Sequence, residues 1–174
     1  MTRTLYIHAT IVTVNEHNHI ILDGALLVEG NRLVALGKTG DLLKANRSED
    51  TPLNIHDLSG MIVIPGLINS HAHLCQSLLR GLAEEVPLHN WLCDSIWPLE
   101  ACYQEDDGIV AAELTMAEML KSGTTCFLEA LLPAQSDVDA VCETIGKTGM
   151  RACLVSSSLE YTMIISDCVI RANL

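Results

Sequence analysis

A chain of 174 residues, 49% of them apolar, can bury a core of ordinary size, and length alone suggests about one domain. Ten Lys and Arg against 22 Asp and Glu give a net charge of -12, which repels a phosphate backbone and sets nucleic acid aside as a partner. The seven Cys are odd in number and form neither a C-x-x-C pair nor a compact framework, so reduced thiols are expected. The first residues lack the apolar core of a signal peptide and no apolar run reaches membrane length, so a cytoplasmic protein with no membrane partner is expected. Few aromatics, 3%, beside many aliphatic residues suit buried strands covered by helices, an α/β protein.

In chain order, Leu5 to Val14 and Ala25 to Leu36 are apolar runs, the second broken by Gly30-Asn31, a dipeptide suited to a hairpin turn. They predict a small antiparallel β unit. A polar stretch from Lys38 to Leu58 reads as loose, with Asn46 to Pro52 especially loop-like, and a change of structural unit is placed near Gly60. From Met61, MIVIPGLINSHAHLC reads as one buried parallel strand ending in polar residues. Leu88, Trp91, Leu92, Ile96 and Leu99 fall near helical spacing after Pro87, and Pro98 should end or bend that helix. A second helix is predicted from about Gln104 to Ser122, with Ile109, Ala112, Met116, Met119 and Leu120 as its buried stripe and Gly123 as stop. Thr124 to Leu132 reads as a strand. A helix capped by Ser136 and ended by Gly149 follows, and then a third strand, Arg151 to Ser156. Alternating strands and helices imply right-handed βαβ units in a parallel sheet, either open or closed into a barrel.

Alternate residues of an extended strand share a face, so His71 and His73 project together and can reach one metal ion. A His-x-His triplet alone is a weak signal. Its place at the C-terminal end of a buried strand, where α/β barrels collect their active sites, makes metal ligation the reading. Cys75 holds the next same-face position, which leaves a His-x-His-x-Cys site as an alternative.

The segments DLSG at 57–60, VIPGLINSHAH, LLRGLAEEVPLHNWLCDSIWPLE and KSGTTCFLEA resemble the amidohydrolase superfamily, in its branch of methylthioadenosine and S-adenosylhomocysteine deaminases, guanine-type deaminases and triazine chlorohydrolases. The resemblance implies the N-terminal part of a TIM-type (β/α)8 barrel, about three βα units, with a small β-sandwich segment ahead of it. Residues 1–60 would be sandwich strands, 61–160 the first barrel units and 161–174 a divergent tail. It further implies one divalent metal, usually zinc, held in part by His71 and His73, whose hydroxide attacks an electron-poor ring carbon bearing an amino or halide leaving group. Glu100 matches a carboxylate that meets ribose hydroxyls in nucleoside-type members, and Gln76 a glutamine that faces the base in purine-base members. Trp91 matches an aromatic wall position, and Glu129 an acidic residue that either contacts substrate or supports a ligand.

The family's later ligands, a His and an Asp, and its proton-shuttling Glu find no match, so no catalytic residue is assigned. A whole barrel takes about 250 residues, against 174 here. The expectation is therefore a truncated hydrolase of non-peptide C–N bonds, inactive alone, whose parent deaminates an amino-purine, nucleoside or related N-heterocycle. The alternatives are a non-catalytic fragment that associates through an open edge of its third strand, as a homo-oligomer or aggregate, and a triazine-type hydrolase. A doubly wound nucleotide-binding fold has no G-x-G-x-x-G or P-loop to support it, and the H-x-E with P-C-x-x-C pattern of cytidine-type deaminases is missing.

Overall fold

The computed structural model describes residues 2–46, 52–104, 106–133, 137–156 and 162–165. The chain divides into two compact units, Met1–Pro65 and Gly66–Leu174.

In the first unit, β1 (Arg3–Val12), β2 (Ile20–Glu29) and β3 (Arg32–Lys38) form an antiparallel meander, with Gly30 at φ 60° in the turn between β2 and β3. The positive φ at the first turn position is what a hairpin of this length demands and what glycine supplies at least cost. The unit is not wholly antiparallel, because β4 (Leu53–Asp57) and β5 (Ile62–Val63) both pair parallel with β1. Nor is Lys38 to Leu58 a loose loop: it contains α1 (Thr39–Ala45) as well as β4. The helix is short and polar enough to escape a periodicity search, yet it buries Leu42 against Leu5, Ala25 and Leu27.

Two irregularities in the β1–β2 pairing compensate one another. Between the pairs Tyr6↔Leu26 and Ala9↔Gly24, β1 advances one residue more than β2, and between Ala9↔Gly24 and Ile11↔Ile21 the excess moves to β2. His8 (φ 63°) and Asp23 (φ 49°) are the left-handed residues of these two bulges, and His8 Nδ1 meets Asp23 Oδ1 at 2.8 Å.

The run from Met61 to Cys75 is two strands rather than one. Pro65-Gly66 divides it, with β5 in the first unit and β6 (Leu67–Ala72) in the second. Proline removes a ladder donor and fixes φ, so an uninterrupted strand cannot pass through it. A Cβ added at Gly66 would lie 2.1 Å from Thr125 Oγ1, so at this entry only glycine leaves room for the neighbouring strand.

In the second unit β6, β7 (Thr124–Leu132) and β8 (Arg151–Ser156) are parallel neighbours. After β6 come a 3-10 turn (Leu74–Leu79), then α2 (Leu88–Asn90), a π-helical turn (Trp91–Ile96) and α3 (Trp97–Glu100), then α4 (Asp107–Lys121). Helical backbone thus continues two residues past Pro98. The missing proline donor falls just after a π-helical turn, where the usual i→i−4 ladder is already interrupted. On α4 the buried set is Gly108, Ala111, Ala112, Met116 and Met119, while Leu120 is 46% exposed. The packed face is therefore turned toward small residues that the apolar pattern undervalued.

α5 (Val138–Thr148) is capped by Asp137, which accepts the Ala140 N–H at 3.0 Å, and ends at Gly149 in the left-handed region. Asp137 thus takes the cap expected of Ser136, which lies outside the described residues. Phe127, Met116, Ile145, Leu132 and Leu154 fill the core between α4, α5 and the sheet, each worth about 1.5 to 3 kcal/mol of burial. The third strand is not an open edge, because β9 (Thr162–Ile165) pairs antiparallel with β8, from Ala152↔Ile165 to Val155↔Thr162. The remaining residues of the expected divergent tail, 161 and 166–174, lie outside the described residues. Among the described residues no helix is long and apolar enough to cross a membrane.

Candidate active site

β6 delivers its last polar residues to one end of the parallel sheet. His71 is the penultimate strand residue and is exposed, and His73 follows the strand in extended conformation, half-buried. Their rings meet edge to face, 4.9 Å between centroids at an interplanar angle of 83°. After His73 the chain turns into the 3-10 segment, so strand alternation stops and Cys75 goes into the core at 1% exposure. The Tyr103 hydroxyl donates to the Cys75 carbonyl at 2.7 Å and holds that turn against α4's N-terminal approach. The His-x-His-x-Cys alternative is thereby removed: no cluster of three or more His, Cys, Asp or Glu able to hold a metal exists among the described residues.

Glu129, on β7, has no exposed surface. Its Oε2 accepts the Leu74 N–H at 2.6 Å and its Oε1 the Leu131 N–H at 3.0 Å. Burial pushes its pKa up to about 7, against the opposing pull of those two backbone donors. Oε1 stands 3.8 Å from His73 Nδ1, too far for a hydrogen bond, and among the described residues that buried nitrogen meets no hydrogen-bond criterion. Glu129 therefore does not line the pocket, as a substrate-contacting residue would; it lies beneath His73. His73 itself is held below the usual imidazole range by burial first and by neighbouring His71 second, which favours the neutral, ligating form.

A pocket of about 570 Å³ opens beside the two imidazoles. His71, His73, Gln76 and Glu100 supply its polar lining, and Leu88, Trp91, Leu92 and Trp97 an apolar wall. Gln76 Nε2 donates to Glu100 Oε1 at 2.9 Å. The two residues that pointed to different substrates in the sequence thus form one polar corner. The π-helical turn brings Trp91 and Leu92 to the same wall as Trp97 and Glu100. Trp97, Leu88 and Leu92 were given no site role from sequence, and their shared pocket face shows only once that turn is known.

The histidine pair passes one test of fit to a cation and fails another. Two imidazoles at right angles beside a pocket, one of them kept neutral, suit a shared ion, but they supply two ligands where a catalytic zinc site uses about three.

The amidohydrolase family model matches residues 62–172. A curated 5-methylthioadenosine/S-adenosylhomocysteine deaminase from Bacillus cereus is 38% identical over 159 residues, which cover 91% of this chain and 35% of that protein. This chain therefore spans about a third of the length of the curated relatives it matches. Among solved structures, a triazine hydrolase from Arthrobacter aurescens superposes with a TM-score of 0.74 at 27% identity, covering 90% of this chain and 36% of the other. An adenosine deaminase from Xanthomonas campestris with bound zinc does so with a TM-score of 0.67 at 28% identity, covering 87% and 33%. The fold is thus the α/β class expected from the sequence, part of a TIM-type barrel preceded by a small β segment.

Proposed function

The chain belongs to the amidohydrolase family, and from that premise we propose that it carries the first metal ligands and one substrate wall of a hydrolytic deaminase for an amino-purine nucleoside or a related N-heterocycle. His71 and His73 would hold one divalent ion, zinc by analogy with the zinc-bound relative. When bound, such an ion makes water a strong nucleophile at neutral pH.

The chain's own residues do the rest of the work assigned to this segment. Glu129 fixes the turn that presents His73. Trp91, Trp97 and Leu92 offer flat apolar surface to a heteroaromatic ring and exclude water from it. Glu100, oriented by Gln76, accepts hydrogen bonds from ligand hydroxyls.

The observation that carries this reading is the Gln76–Glu100 hydrogen bond beside the paired imidazoles. Gln76 is engaged with the carboxylate that would meet a sugar, which favours a nucleoside over a free base. Two imidazoles alone leave the ion short of ligands, so this chain by itself is expected to be inactive, and its setting is expected to be the cytoplasm.

The test is a titration of the two tryptophans' fluorescence with adenosine and with adenine. Tighter quenching by the nucleoside supports the reading, and equal or tighter quenching by the base overturns it. The triazine hydrolase reading rests on the structural likeness, and predicts that a chlorotriazine quenches at least as well as adenosine.

A further inference from the structure

The two histidines stand at an irregularity of the parallel sheet. Between Leu67↔Thr124 and Ile68↔Cys126, β7 advances one residue more than β6, and between Asn69↔Phe127 and Ala72↔Glu129 the excess passes to β6. Thr125 is the extra residue of β7, and its side chain fills the space that a Cβ at Gly66 would need. On β6, Ser70 and His71 together span the stretch that Leu128 alone spans on β7.

This bulge decides which histidine meets the buried carboxylate. A regular parallel ladder continued from Asn69↔Phe127 would set His71 opposite Glu129, because its rungs are evenly spaced. The bulge gives that place to Ala72, which is buried, and leaves His71 exposed at the mouth. Glu129 is thus kept for the Leu74 and Leu131 N–H groups, and His73 rather than His71 lies over it. Bulges beside active sites re-aim side chains in this way. An N–H taken out of its ladder is satisfied by a side chain or by water, and the His71 N–H donates to Asn69 Oδ1 at 3.2 Å. A side-chain acceptor, unlike water, also fixes the direction of the peptide.

We propose that Asn69 is a positioning residue for the His71–His73 pair: its side-chain oxygen replaces the ladder acceptor that the bulge takes from His71, and so holds the His71 ring edge to face against His73 and away from Glu129. Only an acceptor at that reach is required, so aspartate serves in its place and alanine does not. The use of the pair as metal ligands rests on the function proposed above; its geometry does not, and is measured without an ion.

Nuclear magnetic resonance of the metal-free whole chain tests this through the Overhauser contact between the His71 and His73 rings, whose centroids are 4.9 Å apart. Asn69→Ala should lose that contact while the core signals of Phe127, opposite Asn69 on β7, stay in place. Asn69→Gln, which keeps the amide but carries it one methylene too far, should lose it as well, and decides the matter if the alanine variant does not fold. Asn69→Asp should retain it. A ring contact that persists in the folded alanine or glutamine variant, or one that the aspartate variant loses, overturns the proposal. Neither result depends on the nucleoside titration above.

Discussion

The chain holds two His-x-His triplets, and they fare differently. His17-Asn18-His19 lies in the connection between β1 and β2, where both histidines are exposed, their rings tilted at 37° with centroids 5.3 Å apart. Asn15 is the hub of that turn, its Oδ1 accepting the N–H of His17 at 3.2 Å and of His19 at 3.1 Å. His71-Ala72-His73 lies at a strand end, its rings slightly closer at 4.9 Å, with Glu129 buried beneath as its hub. Spacing is shared; setting is not. A carbonyl-type acceptor in water can be replaced by water, whereas a buried carboxylate satisfying two backbone donors cannot.

The largest effect should therefore come from exchanging the hubs. Glu129→Leu leaves the Leu74 and Leu131 N–H groups without acceptors and should cost about 3 to 5 kcal/mol in urea unfolding, while Asn15→Ala should cost less than about 1 kcal/mol. Equal costs would erase the distinction. The same carboxylate gives a pH signature in the metal-free chain. Its folded pKa, about 7, is above its unfolded value near 4.5, so the folded state binds the extra proton between those values. Its stabilising contribution is present below about pH 4.5 and is lost as pH rises to about 7. Glu129→Gln should flatten that part of the stability profile, and an unchanged profile would place the titration elsewhere.

Next in size is metal affinity. His71→Ala and His73→Ala should each weaken zinc binding by about 100-fold, and His17→Ala with His19→Ala should leave it unchanged. Loss through the turn histidines instead would reverse the comparison. A smaller effect is expected at the pocket corner, where Glu100→Gln should weaken adenosine binding about tenfold and adenine binding little, since a hydrogen bond to a charged group contributes about 1.5 to 3 kcal/mol against about 0.5 to 1.5 for a neutral pair. The smallest belongs to the exposed turn. Val14, β-branched and at φ 51°, is strained there, so Val14→Gly should raise stability by about 1 kcal/mol without conferring metal binding.

Much of the barrel segment was legible in the sequence. The strands at Thr124–Leu132 and Arg151–Ser156 have the bounds that their aliphatic runs indicated, because Gly123, Pro133 and Gly149 set those runs off from their neighbours. Local patterns failed where tertiary partners decide. Proline divides one apolar run between two units, α1 lies inside a polar stretch, and the packed face of α4 uses Gly108 and Ala111 in place of Leu120. At the site, the histidine pair could be read from alternation along a strand, but the fate of Cys75 could not, because alternation ends where the strand does. Gln76 and Glu100 each had a meaning by resemblance, and their mutual hydrogen bond spans 24 residues of sequence that no periodicity links.

The π-helical turn at Trp91–Ile96 makes the pocket wall a matter of length more than of composition. Each residue of an ordinary helix advances the face by about 100°, so deleting one residue between Trp91 and Ile96 would swing Trp97 and Glu100 away from the side that Trp91 occupies, even with every pocket residue retained. Conservative exchanges along this wall should be tolerated far better than any change in residue number, and homologous segments can be aligned across it only if that extra residue is kept in count.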